Sequence, residues 1–169
     1  MGHIRNVGSH ARDLVVRYSL LVMVMVALAS LWPERHGVAA AQATVEVVID
    51  PATGQPRYEP PILYIEPGDS VLFKSAGSSH ASRAIPGMQP EAADPWWGQV
   101  GTDLIVTFDE PGIYGHKCGA NYRLGLVGLI VVGDAPVNLA SARAVPHPPA
   151  AAAAFDELFA ELEAHYRAK

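Results

Sequence analysis

The sequence predicts an all-β domain, and three features of the chain carry that prediction. Short segments of alternating or continuous apolar residues follow one another through residues 44–134. Turn signals separate these segments, among them EPGD around Pro67 and Gly68 and a second signal, DEPG. Almost no helical periodicity precedes residue 135. Together these features indicate a β-sandwich or a barrel.

The strand segments can be read off in chain order. They are TVEVVID, PILYI, SVLFKS, DLIVTF and IYGHKC, followed by the apolar run over residues 124–132. The chain has 169 residues, half of them apolar, which is enough for one domain with a substantial core.

Residues 76–101 interrupt the strand pattern with Gly, Ser, Pro and Ala. A connection of this length in a compact domain is usually functional or partly helical. The pair Trp96 and Trp97 lies near its end. We expect both rings to cover one end of the core, because paired aromatic residues in loops usually bury area. A ligand platform is the alternative.

The C-terminal residues 135–169 form a helical extension by their pattern. DAPVNLASARA can form a short helix, and VPHPP ends it. The last segment then places apolar side chains at helical spacing on one face, at Phe155, Leu158, Phe159, Leu162 and Tyr166. We expect this helix to pack on the sandwich, and docking of a partner on its apolar face is the alternative.

Residues 1–43 have the character of a secretory signal peptide. Arg5, Arg12 and Arg17 precede an apolar run, and small residues at Ala41 and Ala43 suit cleavage before residue 44. A retained membrane anchor is the alternative, but the apolar run is shorter than the ~20 residues that a spanning helix needs. We therefore predict export to the periplasm, with no stable membrane insertion after cleavage.

Charge and cysteine content narrow the range of partners. Cleavage before residue 44 removes four of twelve basic and two of seventeen acidic residues, which leaves eight and fifteen and a net charge of −7. This balance argues against nucleic acid or an anionic membrane surface and favours a protein partner with a basic docking face. Because the chain has one cysteine, Cys118, an internal disulfide is excluded.

Histidines near Cys118 make this thiol a candidate for chemistry. Residues 114, 116 and 118 share one face of the predicted strand, so His116 and Cys118 point the same way. His80 follows an earlier strand. Imidazole and thiolate together allow metal binding or nucleophilic catalysis, and a buried, inert cysteine is the third alternative. Since no phosphate loop, HExxH or G-x-S-x-G occurs, we expect a protein that is not an enzyme. His147 and His165 are predicted to be solvated.

Several segments resemble one known family. The stretches YEPPILYIEPGDSVLF, SSH, EPGIYGHKC and VGLIVVGDAPVNL are similar to those of the pseudoazurin branch of the small blue copper proteins, the cupredoxins. The resemblance covers residues 44–139 and continues weakly into the C-terminal helix. It implies a Greek-key cupredoxin β-sandwich over residues 44–134. It also implies one copper ion held near one end by two histidines, a cysteine and a methionine.

The resemblance carries over to four positions of this chain. His80 matches the first histidine and Cys118 the thiolate, thirty-eight residues apart. Asn121 stands at the position of the second histidine, and Leu126 at that of the methionine. Loss of the weak axial thioether is expected to raise the reduction potential, whereas loss of an imidazole removes a strong donor.

Three hypotheses follow for the metal site. His116 could replace the missing imidazole, the ion could be held by His80 and Cys118 with water or Asn121 completing the site, or the domain could have lost its metal. The resemblance implies an exported blue copper protein that transfers single electrons between redox protein partners. The alternative is a degenerate cupredoxin that binds a protein or carries copper without redox turnover.

Overall fold

The described residues form two four-stranded sheets and a C-terminal helical layer. We analysed a computed structural model, which describes residues 40–75, 78–134 and 137–168. In chain order the strands are β1 (Gln42–Ile49), β2 (Pro56–Glu59), β3 (Ile62–Ile65), β4 (Asp69–Lys74), β5 (Arg83–Ala84), β6 (Leu104–Phe108), β7 (Gly112–Lys117) and β8 (Val127–Val132). A 3₁₀ turn (Tyr122–Leu124) and helices α1 (Leu139–Arg143) and α2 (Pro149–Ala168) complete the elements.

Each of the two sheets is built from strands that lie far apart in the sequence. One sheet has the order β2-β1-β4-β6 and the other β3-β8-β7-β5. β1 runs antiparallel to β2 and parallel to β4, and β3 runs parallel to β8. Every connection from β2 to β7 therefore crosses from one sheet to the other, whereas β1–β2 and β7–β8 stay within one sheet. The predicted all-β sandwich with a helical extension is confirmed.

The apolar run of β8 is continuous because both faces of this strand are covered. Ile130 and Val132 point into the core between the sheets, where they join Val45 and Phe73. Leu129 and its same-face neighbours point the other way, into a second core beneath the helices. All six residues of β8 are buried, as expected for a strand enclosed on both sides.

Helix α2 packs on the sandwich, as its pattern predicts. Phe155, Leu158, Phe159 and Leu162 are buried in the second core, and Tyr166 packs against it. Asn138 anchors the start of the extension: its side-chain Oδ1 accepts a hydrogen bond from Ile113 N at 2.7 Å, and its Nδ2 donates to Ile113 O at 2.8 Å. The extension is thus tied directly to β7.

The two tryptophans of the long connection have opposite environments. Trp96 is 7% exposed and lies in the core between the sheets, which confirms the prediction for this residue. Trp97 is 69% exposed, so the prediction that it covers the core was wrong. The backbone is extended here, with Trp97 bridged to Arg83, and successive side chains of an extended segment point to opposite sides.

Most of the predicted signal peptide, residues 1–39, lies outside the described residues. β1 begins at Gln42, two residues before the predicted cleavage point, and Gln42 is already paired with Ser70. The boundaries 1–43, 44–134 and 135–169 stay predictions. Across the part of the chain that is described, no helix is both long and apolar enough to cross a membrane.

Candidate metal centre

His80 and Cys118 meet at one end of the sandwich. Cys118 directly follows β7, and His80 lies in the connection between β4 and β5. His80 Nδ1 is 3.8 Å from Cys118 Sγ, the thiol is 1% exposed, and the imidazole is half-buried. The structure therefore brings together two of the predicted site residues.

The separation of these two atoms fits a shared metal ion. In zinc sites, imidazole and thiolate ligands have bonds of about 2.0 Å and about 2.3 Å. A nitrogen and a sulfur 3.8 Å apart could both reach one ion with bonds of this length, and in the metal-free protein the same contact is a hydrogen bond between the thiol and the ring.

A set of backbone hydrogen bonds fixes the segment after Cys118, residues 118–126, which we call the ligand loop. Asn121 N donates to Cys118 O at 3.2 Å, Leu126 N donates to Asn121 O at 3.2 Å, and Cys118 N donates to Leu126 O at 3.1 Å. Gly125 has φ of +89°, which favours glycine, and ends the 3₁₀ turn. The three bonds hold Cys118, Asn121 and Leu126 close together.

Asn121 and Leu126 differ in what they can offer an ion. Asn121 is half-buried and precedes the 3₁₀ turn, and its side chain makes no capping hydrogen bond to that turn. Its amide oxygen is a hard donor that suits copper less well than imidazole. Leu126 is buried in the same core cluster as Cys118 and has no donor atom.

His116 is enclosed in the core between the sheets. It shares the inward face of β7 with Tyr114 and Cys118, as strand alternation predicts. Its exposure is 0%, and its ring centroid is 4.4 Å from that of Tyr58 and 5.2 Å from that of Phe73. Burial lowers the pKa of His116 to about 3, so the ring is neutral.

The contacts of the His116 ring explain its position. Nδ1 is 3.3 Å from Ser82 Oγ, which also accepts a hydrogen bond from Trp96 Nε1 at 3.1 Å. A Cβ atom on Gly128 would lie 2.4 Å from His116 Nε2, so the ring occupies the space that this glycine leaves. Within the described ranges, no group of three or more His, Cys, Asp and Glu side chains could hold a metal ion. His116 is thus not brought together with His80 and Cys118.

Two cationic side chains lie beside the ligand loop. Lys117 Nζ is 4.3 Å from the centre of the Tyr122 ring, and the Arg83 guanidinium is 3.9 Å from that of Trp97. Arg83 Nη1 would lie 3.1 Å from a Cβ on Gly119, next to Cys118. This end of the molecule therefore carries two positive charges, although the net charge of the chain is negative.

Sequence reasoning missed a contact of His147. The ring Nδ1 of His147 is 2.6 Å from Tyr122 Oη, and the ring is half-buried beside Phe155. Burial, and then the nearby Lys117 charge, lower the pKa of His147. The prediction that His147 is solvated was wrong, because its ring is packed and its Nε2 is buried. His165 is partly exposed and stacks on Tyr64 with ring centroids 4.3 Å apart. No sequence motif predicts these contacts. The one available signal is that His147 lies just before the start of the last helix.

The sandwich, with an imidazole and a thiol paired at one end, has the fold of a cupredoxin. Pseudoazurin of Methylorubrum extorquens is 35% identical over 125 residues, which cover 74% of this chain and 84% of that protein. Pseudoazurin of Paracoccus pantotrophus is 33% identical over 123 residues, 73% of this chain and 85% of that protein. This chain belongs to the pseudoazurin family.

A solved structure agrees with this assignment. The crystal structure of pseudoazurin from Methylobacterium extorquens AM1 superimposes with a TM-score of 0.67 at 35% identity. The match covers 72% of this chain and 98% of that one. No family model matches the sequence. The pseudoazurin relatives imply a family of copper proteins that carry electrons and are not enzymes.

Proposed function

We propose that this chain binds one copper ion through His80 Nδ1 and Cys118 Sγ and transfers single electrons between protein partners in the periplasm. The observation that carries the proposal is the 3.8 Å pair of ring nitrogen and sulfur in a pseudoazurin-family sandwich. When bound, copper would supply the one-electron couple between Cu(I) and Cu(II). The chain itself contributes a soft thiolate and an imidazole, the donors that suit copper in both states.

The ligand loop would complete the site with weaker donors. The resemblance places Asn121 where the family has its second histidine, and the hydrogen-bonded turn from Cys118 to Asn121 keeps this residue beside the pair. Leu126 supplies no donor atom, and because it is buried with Cys118 it would keep water away from the core side of the site. A site of this composition favours Cu(I) and is expected to have a high reduction potential.

The hypothesis that His116 replaces the missing imidazole stays a prediction. To reach an ion between His80 and Cys118, its ring would have to leave the pocket formed with Tyr58 and Gly128. It would also have to give up its contact with Ser82 Oγ. We favour a packing role for His116, because the ring is enclosed by Tyr58 and Phe73 and its Nδ1 lies 3.3 Å from Ser82 Oγ. Its buried Nε2 has no hydrogen-bond partner among the described residues.

The partner is expected to be a redox protein that docks near the ligand loop. A basic docking face on that partner follows from the net charge alone and stays a prediction. Lys117 and Arg83 lie beside the ligand loop and favour an acidic face at this end instead. The dependence of the electron-transfer rate on ionic strength, measured for Lys117→Gln against the unchanged protein, separates the two.

Titration of the purified protein with Cu(II) tests the copper site. We expect one equivalent of copper to give a visible thiolate-to-copper band and an EPR signal. Both should be lost in Cys118→Ser and strongly altered in His80→Ala, whereas His116→Leu should keep them. A band that disappears in His116→Leu while the metal-free variant stays folded would show that His116 is the missing ligand.

A degenerate cupredoxin without redox turnover is the second candidate. It is favoured by one observation: the described residues offer two His or Cys ligands at this place and no larger cluster. A copper carrier would bind Cu(I) through the thiolate and stay colourless, and a protein-binding module would bind neither ion. Voltammetry of the copper-loaded protein decides, because only the electron carrier gives a reversible one-electron wave.

A further inference from the structure

The C-terminal extension contacts the ligand loop at two points. Tyr122 Oη and His147 Nδ1 are 2.6 Å apart, and either atom can be the donor, depending on the imidazole tautomer. Three residues further along the loop, a Cβ on Gly125 would lie 3.1 Å from Ala150 O, in the first turn of α2. The extension therefore packs against the ligand loop as well as against the sheet.

Tyr122 is held from more than one side. Its ring lies under Lys117 Nζ and packs against the core beneath the helices, and its hydroxyl meets His147. His147 is itself fixed by Phe155, with ring centroids 4.5 Å apart. Since Phe155 is a buried residue of α2, the position of Tyr122 is set by the helix.

Backbone hydrogen bonds connect Tyr122 to the candidate site. Tyr122 directly follows Asn121, whose N donates to Cys118 O and whose O accepts from Leu126 N. We propose that His147 is a positioning residue, which fixes the ligand loop through Tyr122 and so makes the C-terminal extension part of the frame of the metal centre. As regards copper this inference rests on the proposed function, but restraint of Cys118 exists in the metal-free protein as well.

A site with few strong donors depends on such a frame. When the protein offers only two strong ligands, their relative position must come from the surrounding structure, because fewer bonds to the ion hold them in place. The Tyr122 to His147 contact supplies this restraint from outside the sandwich. Loss of the contact is expected to loosen the ligand loop locally without unfolding the sheets.

Reaction of Cys118 with a thiol reagent in the metal-free protein measures the restraint directly. Cys118 is buried, so modification requires local opening. A hydrogen bond is worth about 1 kcal/mol, so His147→Ala and Tyr122→Phe should each accelerate the reaction by about fivefold. The double variant should react no faster than either single variant. His147→Asn, which can return a hydrogen-bonding atom to the position of Nδ1, should restore the slow rate.

His165→Ala is the matched control for these variants. His165 lies in α2, the helix that follows His147 in the chain, but it stacks on Tyr64 of β3, away from the ligand loop. We expect its thiol reaction rate to match that of the unchanged protein. Equal acceleration in His147→Ala and His165→Ala, or none in Tyr122→Phe, would overturn the positioning role, because general destabilisation would then account for the data.

Copper-loaded protein gives the second readout. His147→Ala and Tyr122→Phe should release copper to a chelator about fivefold faster than His165→Ala and should change the EPR hyperfine splitting. If no variant binds copper but the thiol rates differ as expected, the proposed function fails and the restraint of Cys118 stands. If copper binds while the two histidine variants behave alike in both readouts, the positioning role fails and the copper proposal stands.

Discussion

His80 and His116 are both candidate partners of Cys118 by sequence, yet the structure gives them different surroundings. His80 is half-buried in a connection, with Nδ1 3.8 Å from the thiol. His116 is fully buried two residues before the same cysteine, among aromatic rings and beside Ser82. The histidine that is close to Cys118 in the chain is therefore buried in the core. The histidine that is thirty-eight residues away forms the candidate site with it.

The difference shows what strand alternation can and cannot predict. Alternation gives the face to which a side chain points, and on that count His116 and Cys118 do share a face. It does not say where along that face the core ends and the metal centre begins. Cys118 directly follows β7, where the ligand loop begins, and His116 lies within β7, two residues earlier.

The largest expected effect is on the packing around His116. Gly128→Ala places a Cβ 2.4 Å from His116 Nε2 and 3.2 Å from Pro61 O, and the buried strands cannot shift freely. We expect a loss of about 3 kcal/mol in the free energy of unfolding, measured with urea on the metal-free protein. The same change made in His116→Ala should cost much less, since the ring that it strikes is gone.

Gly119→Ala is the control at the metal end. The nearest atom to its Cβ would be Arg83 Nη1 at 3.1 Å, the far end of a flexible side chain. We expect a change below about 0.5 kcal/mol. A cost for Gly119→Ala as large as that for Gly128→Ala would contradict the view that only the His116 side is tightly packed.

The pH dependence of stability is the next largest effect. Folded protein keeps His116 neutral down to about pH 3, whereas the unfolded chain takes up this proton near pH 6.5. The unfolded state therefore binds more protons between these values, and stability falls as the pH falls through this window. The slope is at most about 1.4 kcal/mol per pH unit, and the contribution is fully present above pH 6.5.

Urea unfolding of the metal-free protein and of His116→Leu, from pH 7 to pH 4, checks this expectation. Subtracting the free energy of unfolding of His116→Leu from that of the unchanged protein at each pH removes the contributions of other titrating groups. The neighbouring tyrosines stay neutral in this range, because the ordinary pKa of tyrosine is about 10 and burial raises the pKa of Tyr58 and Tyr114 further. Parallel curves for the two proteins would mean that His116 is accessible to protons in the folded state.

The sequence alone predicts the sandwich and the docked helix well. Alternation and Pro-Gly turns mark the strands, and the stripe from Phe155 to Leu162 marks the buried face of α2, because both depend on local periodicity. The resemblance adds the pairing of His80 with Cys118, which no local pattern contains. The contact partners of His116, Trp97 and His147 were out of reach, since each lies in a distant segment: Gly128, Arg83 and Tyr122.

A new imidazole beside the pair should strengthen the site. Asn121→His puts a strong donor at the position where the resemblance implies one, so we expect copper affinity to rise on the order of tenfold or more. Competition with a chelator of known affinity measures the change. Asn121→Ala is the companion variant, and it should alter affinity little if the amide is a weak ligand. An unchanged affinity in Asn121→His would show that residue 121 does not face His80 and Cys118.

The smallest expected effect is on the reduction potential, and it distinguishes the core between the sheets from the core beneath the helices. Leu126→Met nearly conserves volume, so the metal-free protein should lose less than about 1.5 kcal/mol. In the copper form the thioether can approach the ion as a weak axial donor, and the reduction potential should fall because Cu(II) gains a ligand. Leu129→Met is the matched control, since Leu129 is equally buried but belongs to the core beneath the helices. If voltammetry gives the same shift for both variants, the potential responds to general changes in packing, and Leu126 does not border the metal centre.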